Sequence, residues 1–186
     1  MPEALWFSDD EAACRLLAED PFALLVGFAL DQQITVQQAF AGPLRLRDRL
    51  GTLDPGAIAA TDPARLEEVF RQKPAIHRFP GAMAARVQDL AATVAEDYDG
   101  RAERVWTEAA DAADLKRRIG GLPGFGEMKV KALASVLARR LGVAFAAELL
   151  PGHLMLGDVD SPQALLDYQA AKRAHKAALR AAKSPS

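Results

Sequence analysis

The stretch Leu122-Pro123-Gly124-Phe125-Gly126 lies between two segments whose composition is typical of helices. Glycine adopts positive φ at no steric cost, so two glycines two positions apart predict a sharp turn that exposes backbone N–H groups. The helix that we predict after this turn would point its partial positive N-terminus in the same direction. The stretch therefore predicts either a turn that binds a phosphate through main-chain amides or a plain tight turn between two helices.

Basic residues surround this turn, although the net charge of the chain is −2. Lys129 and Lys131 follow within the first turn or so of the predicted helix and would add positive charge beside it. Residues 116–140 have a net charge of +6, and residues 168–186 have five cations and no acid. Two basic segments on an acidic remainder suit either a surface that binds a polyanion or an ordinary solvated helix surface with a basic tail.

The composition predicts an all-α fold. Half of the 186 residues are hydrophobic, and 38 residues are Ala, whereas Val, Ile and Thr together number 19. Ala is the best helix former and β-branched residues favour strands, so the composition disfavours an all-β fold or a large parallel sheet. The length suits one domain, or one domain with a small lobe beside it. We assign residues 1–160 to a helical domain and residues 161–186 to a basic, Ala-rich C-terminal helix and tail.

Proline and glycine positions divide the chain into helices. We predict helices near residues 9–18, 21–31, 35–50, 62–72, 81–98, 101–109, 112–120, 127–142 and 162–181, a short turn near 55–60, and a bend or break at Gly42-Pro43. Four helices would begin at a capping side chain followed by proline, namely Asp20-Pro21, Asp54-Pro55, Asp62-Pro63 and Ser161-Pro162. Residues 142–161 are rich in glycine and proline and predict an irregular connection.

The cysteine and hydropathy patterns exclude several classes. Cys14 is the only cysteine, so an intramolecular disulfide and an iron–sulfur cluster are both excluded, and the three histidines lack metal-ligand spacing. The longest apolar run, residues 22–30, is about half of what a membrane span needs. The first residues do not resemble a signal peptide, so we expect a cytoplasmic protein.

The 122–126 stretch resembles the LPGxG loop of the helix-hairpin-helix motif, here with its helices within 112–142. Its setting resembles the HhH-GPD superfamily of base-excision DNA glycosylases, which includes endonuclease III and the 3-methyladenine glycosylases. Three further stretches agree in order: residues 22–35, which end in Leu30-Asp31-Gln32-Gln33-Ile34-Thr35, His77-Arg78-Phe79, and Tyr98-Asp99-Gly100. The resemblance covers about residues 20–142 and implies a two-lobed all-α fold with a DNA groove between the lobes.

The resemblance also implies a partner and its binding residues. In that family the hairpin binds phosphates of double-stranded DNA, often with a bound monovalent cation such as Na⁺ or K⁺. Gly124 and Gly126 match the phosphate-binding positions, and Leu122 and Phe125 would supply apolar support. Gln33 matches the residue that fills the gap left by a flipped base. We expect no other cofactor, no membrane partner, a monomer and a nucleoid-associated location.

The positions that carry the catalytic residues in that family match this sequence less well. Bifunctional members form a Schiff base through a Lys two positions after the last hairpin glycine, and that position here is Met128. Lys129 lies about 100° further around the helix, so we expect no efficient β-lyase activity. The family's catalytic Asp would fall within 146–148, where Ala146 occupies the usual position and Glu148 is the only acid, and Asp158 and Asp160 come later. These three carboxylates are the alternative catalytic candidates, and each also suits an ordinary surface acid.

Three functions therefore remain open. The first is a monofunctional DNA N-glycosylase, whose base pocket would draw on Phe28, Phe79, Tyr98 or Trp106, although a place in the core suits each of them too. The second is a non-catalytic DNA-binding protein that has kept the fold and lost the acid. The third is a helical protein without a nucleic-acid role, in which the 122–126 stretch is only a turn.

Overall fold

The computed structural model describes residues 1–184, and it has ten α-helices and two 3-10 helices in that range. The α-helices are α1 Glu11–Glu19, α2 Pro21–Leu30, α3 Val36–Leu50, α4 Pro55–Ala60, α5 Pro63–Arg71, α6 Pro80–Asp97, α7 Arg104–Thr107, α8 Ala112–Gly120, α9 Glu127–Arg139 and α10 Pro162–Lys183. The 3-10 helices are Ala144–Leu149 and Leu156–Asp158. The chain is 67% helical and no strand occurs in the described part, which confirms the predicted all-α class.

Helix α2 lies at the centre of the core, and all of its residues from 22 to 30 are buried. Helices α1, α3 and α6 pack around it, while α4 and α5 pack on the far part of α6. The ring of Phe40 on α3 lies edge-on to Phe28, with centroids 5.1 Å apart, and passes so close to Gly27 that a Cβ there would meet Phe40 Cε1 at 2.7 Å. Glycine at position 27 therefore permits the close contact of α2 with α3.

All four predicted capping pairs lie at helix starts, and three of them form the capping hydrogen bond. The Asp20 carboxylate accepts hydrogen bonds from the N–H groups of Phe22 and Ala23, at 2.8 and 3.2 Å. Asp54 and Ser161 cap α4 and α10 in the same way. Helix α5 begins at Pro63 as predicted, but the Asp62 side chain makes no capping hydrogen bond.

Three predicted helix boundaries are wrong. Helix α3 is continuous through Pro43, so the chain is not broken at Gly42-Pro43, although proline removes one backbone hydrogen bond there. Helix α7 has four residues instead of the predicted nine. Helix α9 ends at Arg139 rather than near residue 142, and the chain leaves it through Gly142, whose φ is +72°.

The segment 142–161 is irregular, as predicted, and its two 3-10 helices both pack on α9. Ser135 of α9 holds the second one: its hydroxyl accepts a hydrogen bond from the Gly157 N–H at 2.9 Å and donates one to Ala132 at 2.7 Å. A Cβ at Gly157 would lie 2.8 Å from the backbone nitrogen of Val136, so only glycine fits there. Within residues 1–184, no helix combines the length and hydrophobicity that crossing a bilayer requires.

Candidate nucleic-acid interface

Residues 121–126 form a tight turn between α8 and α9. The N–H of Leu122 donates to the carbonyl of Ile119 at 3.0 Å, and the N–H of Phe125 donates to the carbonyl of Leu122 at 3.1 Å. The side chains of Leu122 and Phe125 are buried and anchor the turn to the core. Gly124 has φ +82°, as predicted, but Gly126 has φ −81° and needs no left-handed conformation.

The start of α9 presents free donors. No side chain caps this helix, and the first hydrogen bond into it runs from the N–H of Val130 to the carbonyl of Gly126. The N–H groups of residues 126–129 therefore have no acceptor inside the helix. Gly126, Glu127 and Met128 are exposed, so an anion has access to these donors.

Arg86 of α6 adds a positive charge beside the turn, which the sequence pattern does not indicate. Its side chain lies across Gly124 so closely that a Cβ at position 124 would stand 2.8 Å from Arg86 Cδ. Arg86 also lies near enough to Lys129 to contribute to lowering the pKa of that amine. Because α6 and the turn are distant in sequence, only the fold reveals that Arg86 belongs to this surface.

Lys129 points inward rather than toward solvent. Its Nζ donates a hydrogen bond to the carbonyl of Ala29, at 3.2 Å, and lies 5.9 Å from the centroid of the Phe125 ring. Burial lowers the pKa of the Lys129 amine, and the nearby Asp31 carboxylate opposes that shift. The second predicted lysine, Lys131, pairs with Glu127 at 3.3 Å on the helix surface.

Asp31 is the carboxylate that the fold brings to the hairpin. It follows the last residue of α2, it is half-buried, and no cation of the described chain lies within 4.0 Å of it. Burial raises the pKa of the Asp31 carboxyl, while Lys172 of α10 and Lys129 of α9 oppose the rise. Burial likewise raises the pKa of the Tyr168 hydroxyl, and Asp31 adds to that rise. Three helices therefore meet at Asp31, a residue that spacing from the hairpin could not identify.

The loop 31–35 presents Gln33 to solvent in an unusual backbone conformation. Gln33 is exposed and has φ +57°, a region that costs a non-glycine residue about 1–2 kcal/mol. Gln32 is held instead, since its amide nitrogen donates to the Met83 sulfur at 3.2 Å. Strain at an exposed polar residue is typical of functional loops.

His77 fixes this loop against the segment before α6. The ring is fully buried, its Nε2 lies 3.0 Å from the carbonyl of Gln32, and its Nδ1 accepts the Phe79 N–H at 3.0 Å. This pair of contacts requires the neutral ring with the proton on Nε2. Burial lowers the pKa of the His77 ring, which favours that neutral form.

The predicted catalytic acids lie on the segment after α9. Asp158 forms an ion pair with Arg139 and accepts a hydrogen bond from the Met155 N–H at 2.7 Å, so its carboxylate holds the local structure. Glu148 is exposed on the first 3-10 helix, and Asp160 is exposed just before Ser161, the cap of α10. The contacts of these three acids do not include the 121–126 turn.

The aromatic candidates separate into core and surface residues. Phe28 and Trp106 are buried in the core, and Tyr98 is half-buried. Phe79 is 42% exposed, and the guanidinium of Arg78 lies 5.0 Å from its ring centroid. Phe79 is therefore the aromatic side chain available for contact, on the segment that His77 ties to the Gln33 loop.

The two best-defined surface cavities lie away from the hairpin. Two surface cavities of about 320 and 340 Å³ lie near Asp20 and near Trp106, and neither is lined by the 121–126 turn or by Asp31. Within residues 1–184, no three His, Cys, Asp or Glu side chains gather to hold a metal ion. Comparisons with protein-family models, curated proteins and solved structures gave no match to this chain.

Proposed function

We propose that this chain is a base-excision DNA-repair protein, a monofunctional N-glycosylase that hydrolyses the N-glycosidic bond of a damaged base in double-stranded DNA. One observation carries the proposal: the uncapped start of α9, the half-buried Lys129 and the half-buried Asp31 lie beside the strained Gln33 loop. In this proposal α8, the turn and α9 are the helix-hairpin-helix motif. The α2-centred helices and the α9-centred helices are then the two lobes.

The hairpin would bind a DNA phosphate. The free N–H groups at the start of α9 and its helix dipole favour an anion, and the guanidinium of Arg86 adds charge next to Gly124. Glycine at 126 leaves open space above the backbone, so a phosphate oxygen can approach the amides closely. A Na⁺ or K⁺ ion at the backbone carbonyls of the turn remains part of the proposal through the family resemblance.

The Gln33 loop would act on the opposite side of the lesion. Flipping a base out of the duplex costs a few kcal/mol of stacking and pairing, so a side chain that fills the gap offsets part of that cost. Gln33 is exposed and held outward, and Phe79 offers an exposed ring on the adjoining segment. The His77 contacts would keep the two segments in a fixed relation during this step.

The chemical step needs a carboxylate near the sugar. Cleavage of the glycosidic bond develops positive charge on the sugar ring, and a carboxylate stabilises that charge while water adds to the anomeric carbon and the base departs with a proton. Asp31 joins Glu148, Asp158 and Asp160 as a candidate because it is partly desolvated and adjoins the hairpin. A partly desolvated carboxylate interacts more strongly with a nearby cation than a solvated one does.

A non-catalytic DNA-binding protein is the second candidate, and one observation favours it. Of the three acids that spacing and sequence order suggested, Asp158 is committed to Arg139 and the other two are solvated. A protein that kept the hairpin and lost the acid would still bind bent or damaged duplex in a salt-dependent way.

A single-turnover excision assay on duplexes with single damaged bases tests both candidates. Asp31→Asn, Glu148→Gln, Asp158→Asn and Asp160→Asn would be compared with the unaltered chain, with Asp62→Asn, which makes no capping bond, as the matched control. The first candidate predicts excision that one of the four variants abolishes and the control retains. Salt-dependent binding without excision would support the second candidate, and the absence of salt-dependent binding would contradict both.

A further inference from the structure

Helix α10 extends beyond the body of the protein. Leu165 is its only buried residue, and residues 170–184 are all exposed. Its inner part is fixed to α3 by a pair of reciprocal amide hydrogen bonds between Gln169 and Gln37, at 2.6 and 2.7 Å. This contact ties the inner part of α10 to the body of the protein just before the exposed part begins.

The exposed part of α10 has all of its cations on one face. At 100° per residue, the five positions fall within an arc of about 100°, and they extend over about 16 Å of helix. These residues are Lys172, Arg173, Lys176, Arg180 and Lys183, and we call them the basic stripe. Within residues 1–184, none of the five lies within 4.0 Å of a carboxylate.

The basic stripe begins at the candidate site. Lys172, its first member, lies 5.8 Å from the Tyr168 ring centroid and near enough to Asp31 to oppose the rise of its pKa. Lys129 of the hairpin helix lies near the same carboxylate. The basic stripe therefore begins near Asp31, the same carboxylate that Lys129 of the hairpin helix approaches from inside the fold.

We propose that α10 is a second phosphate-binding element, which lies along the backbone of duplex DNA and continues the contact that the hairpin begins. This inference rests on the proposed function and assigns a partner surface to a part of the chain that the hairpin does not include. Five cations on one face match a polyanion whose charges repeat every 1.7 Å along its axis.

The rest of the helix surface argues against an anionic membrane as the partner. The face opposite the basic stripe is mostly Ala, and the large exposed apolar residues of α10 are Leu166 and Leu179. Helices that lie in a bilayer surface usually bury a continuous face of Trp, Phe and Leu. Because α10 has the basic stripe but no such apolar face, its surface suits DNA better than a membrane.

The salt dependence of DNA binding tests this proposal. A variant with Arg173→Gln, Lys176→Gln, Arg180→Gln and Lys183→Gln removes four contacts and keeps good helix formers. The slope of log K against log salt should become less steep by up to about 3.6, since each phosphate contact contributes about 0.9. Raising the salt from about 50 to 200 mM should then weaken DNA binding by a factor about 100 times smaller in the variant than in the unaltered protein.

A second variant removes the same charge from another surface. Arg15→Gln, Arg65→Gln, Arg71→Gln and Arg101→Gln alter cations that pair with neighbouring acids, and they should leave the slope within about one unit of the unaltered protein. Deletion of residues 172–186 should reproduce the change of slope seen in the stripe variant. Circular dichroism checks that the variant of the basic stripe keeps its helix content.

The possible outcomes distinguish failure of this inference from failure of the proposed function. An unchanged slope in the stripe variant, with salt-dependent binding of the unaltered protein, would overturn the role of α10 and leave the proposed function standing. Absence of salt-dependent binding by the unaltered protein would overturn both. If the stripe variant lost the binding to phosphatidylserine vesicles that the unaltered protein shows, and its salt slope for DNA were unchanged, the partner would be a membrane. That result would overturn the proposal.

Discussion

The ammonium group of Lys129 donates a hydrogen bond to the carbonyl of Ala29, and this contact joins the first turn of α9 to the last turn of α2. The two residues are 100 positions apart in the chain. The bond directs a lysine that the sequence places near the surface into the junction where Asp31 lies. The neighbouring residue Met128 is exposed instead, so adjacent positions of α9 point in different directions.

We predict little covalent capture when the protein is treated with borohydride on abasic DNA. Met128 has no amine, and the Nζ of Lys129 is committed to the Ala29 carbonyl. Lys129→Met serves as the control for background trapping. Strong capture that disappears in this variant would show that Lys129 attacks the sugar, a step that its lowered pKa would assist.

Asp31→Asn should raise the melting temperature at pH 7. Burial raises the pKa of the Asp31 carboxyl, so the folded state holds its proton more tightly and stability falls as pH rises above the unfolded-state pKa of about 3.9. The variant removes that penalty, and its advantage should vanish below about pH 4. Equal melting temperatures of the two proteins across this range, measured by calorimetry, would show that the carboxylate is not desolvated.

The neutral His77 ring should make stability depend on pH in the opposite sense. Burial lowers the pKa of His77 below its ordinary value of 6.5, so its contribution is complete above about pH 6.5 and is lost as pH falls through the folded-state pKa. Urea unfolding should show a drop between about pH 7 and pH 5 that is smaller in His77→Gln. His153→Gln with His175→Gln, two exposed residues, should retain the full drop.

Gly124→Ala should lower the free energy of unfolding by about 1–2 kcal/mol, because φ +82° is strained for a residue with a Cβ. The Arg86 side chain would also have to move. Gly152→Ala is the matched control, since that glycine is exposed with open space around it, and the expected change is within about 0.5 kcal/mol. Equal urea midpoints for the two variants would mean that the turn relaxes freely.

Local signals in the sequence were sufficient for most of the fold. Proline after a capping residue marks the starts of α2, α4, α5 and α10, which begin where Asp20, Asp54, Asp62 and Ser161 predict. At Pro43 the local signal was misleading, since it predicted a bend or break and the helix is not broken there. A proline inside a helix is a local penalty, and its outcome depended on burial of α3 against α2, which no local pattern reports.

The candidate site was less predictable because its members come from distant helices. Glycine chemistry predicts the turn and the positive φ of Gly124, but spacing along the chain points only to acids that follow the hairpin. Asp31 precedes the hairpin by about ninety residues and Arg86 by about forty, and both reach it through packing of α2 and α6. The assignments of Gln33, Glu148, Asp158 and Asp160 to DNA binding and catalysis stay predictions.

Phosphate binding by the 122–126 turn is the core of the proposed function, and Gly126→Val tests it most directly. Valine suits φ −81° with extended ψ, and no atom of the protein lies within 4 Å of the added Cβ, so the fold should persist with a modest capping cost of about 1 kcal/mol. The side chain would, however, occupy the space that a bound phosphate needs. Gly152→Val is the control on an exposed loop.

Equilibrium binding to a short duplex with an abasic-site analogue should be measured at several salt concentrations for the three proteins. We expect salt-dependent binding by the unaltered chain and the control, and an affinity at least about tenfold lower for Gly126→Val, as the loss of about 1.4 kcal/mol implies. Equal affinities for the unaltered protein and Gly126→Val would contradict phosphate binding at this turn and leave it as a plain connection between α8 and α9.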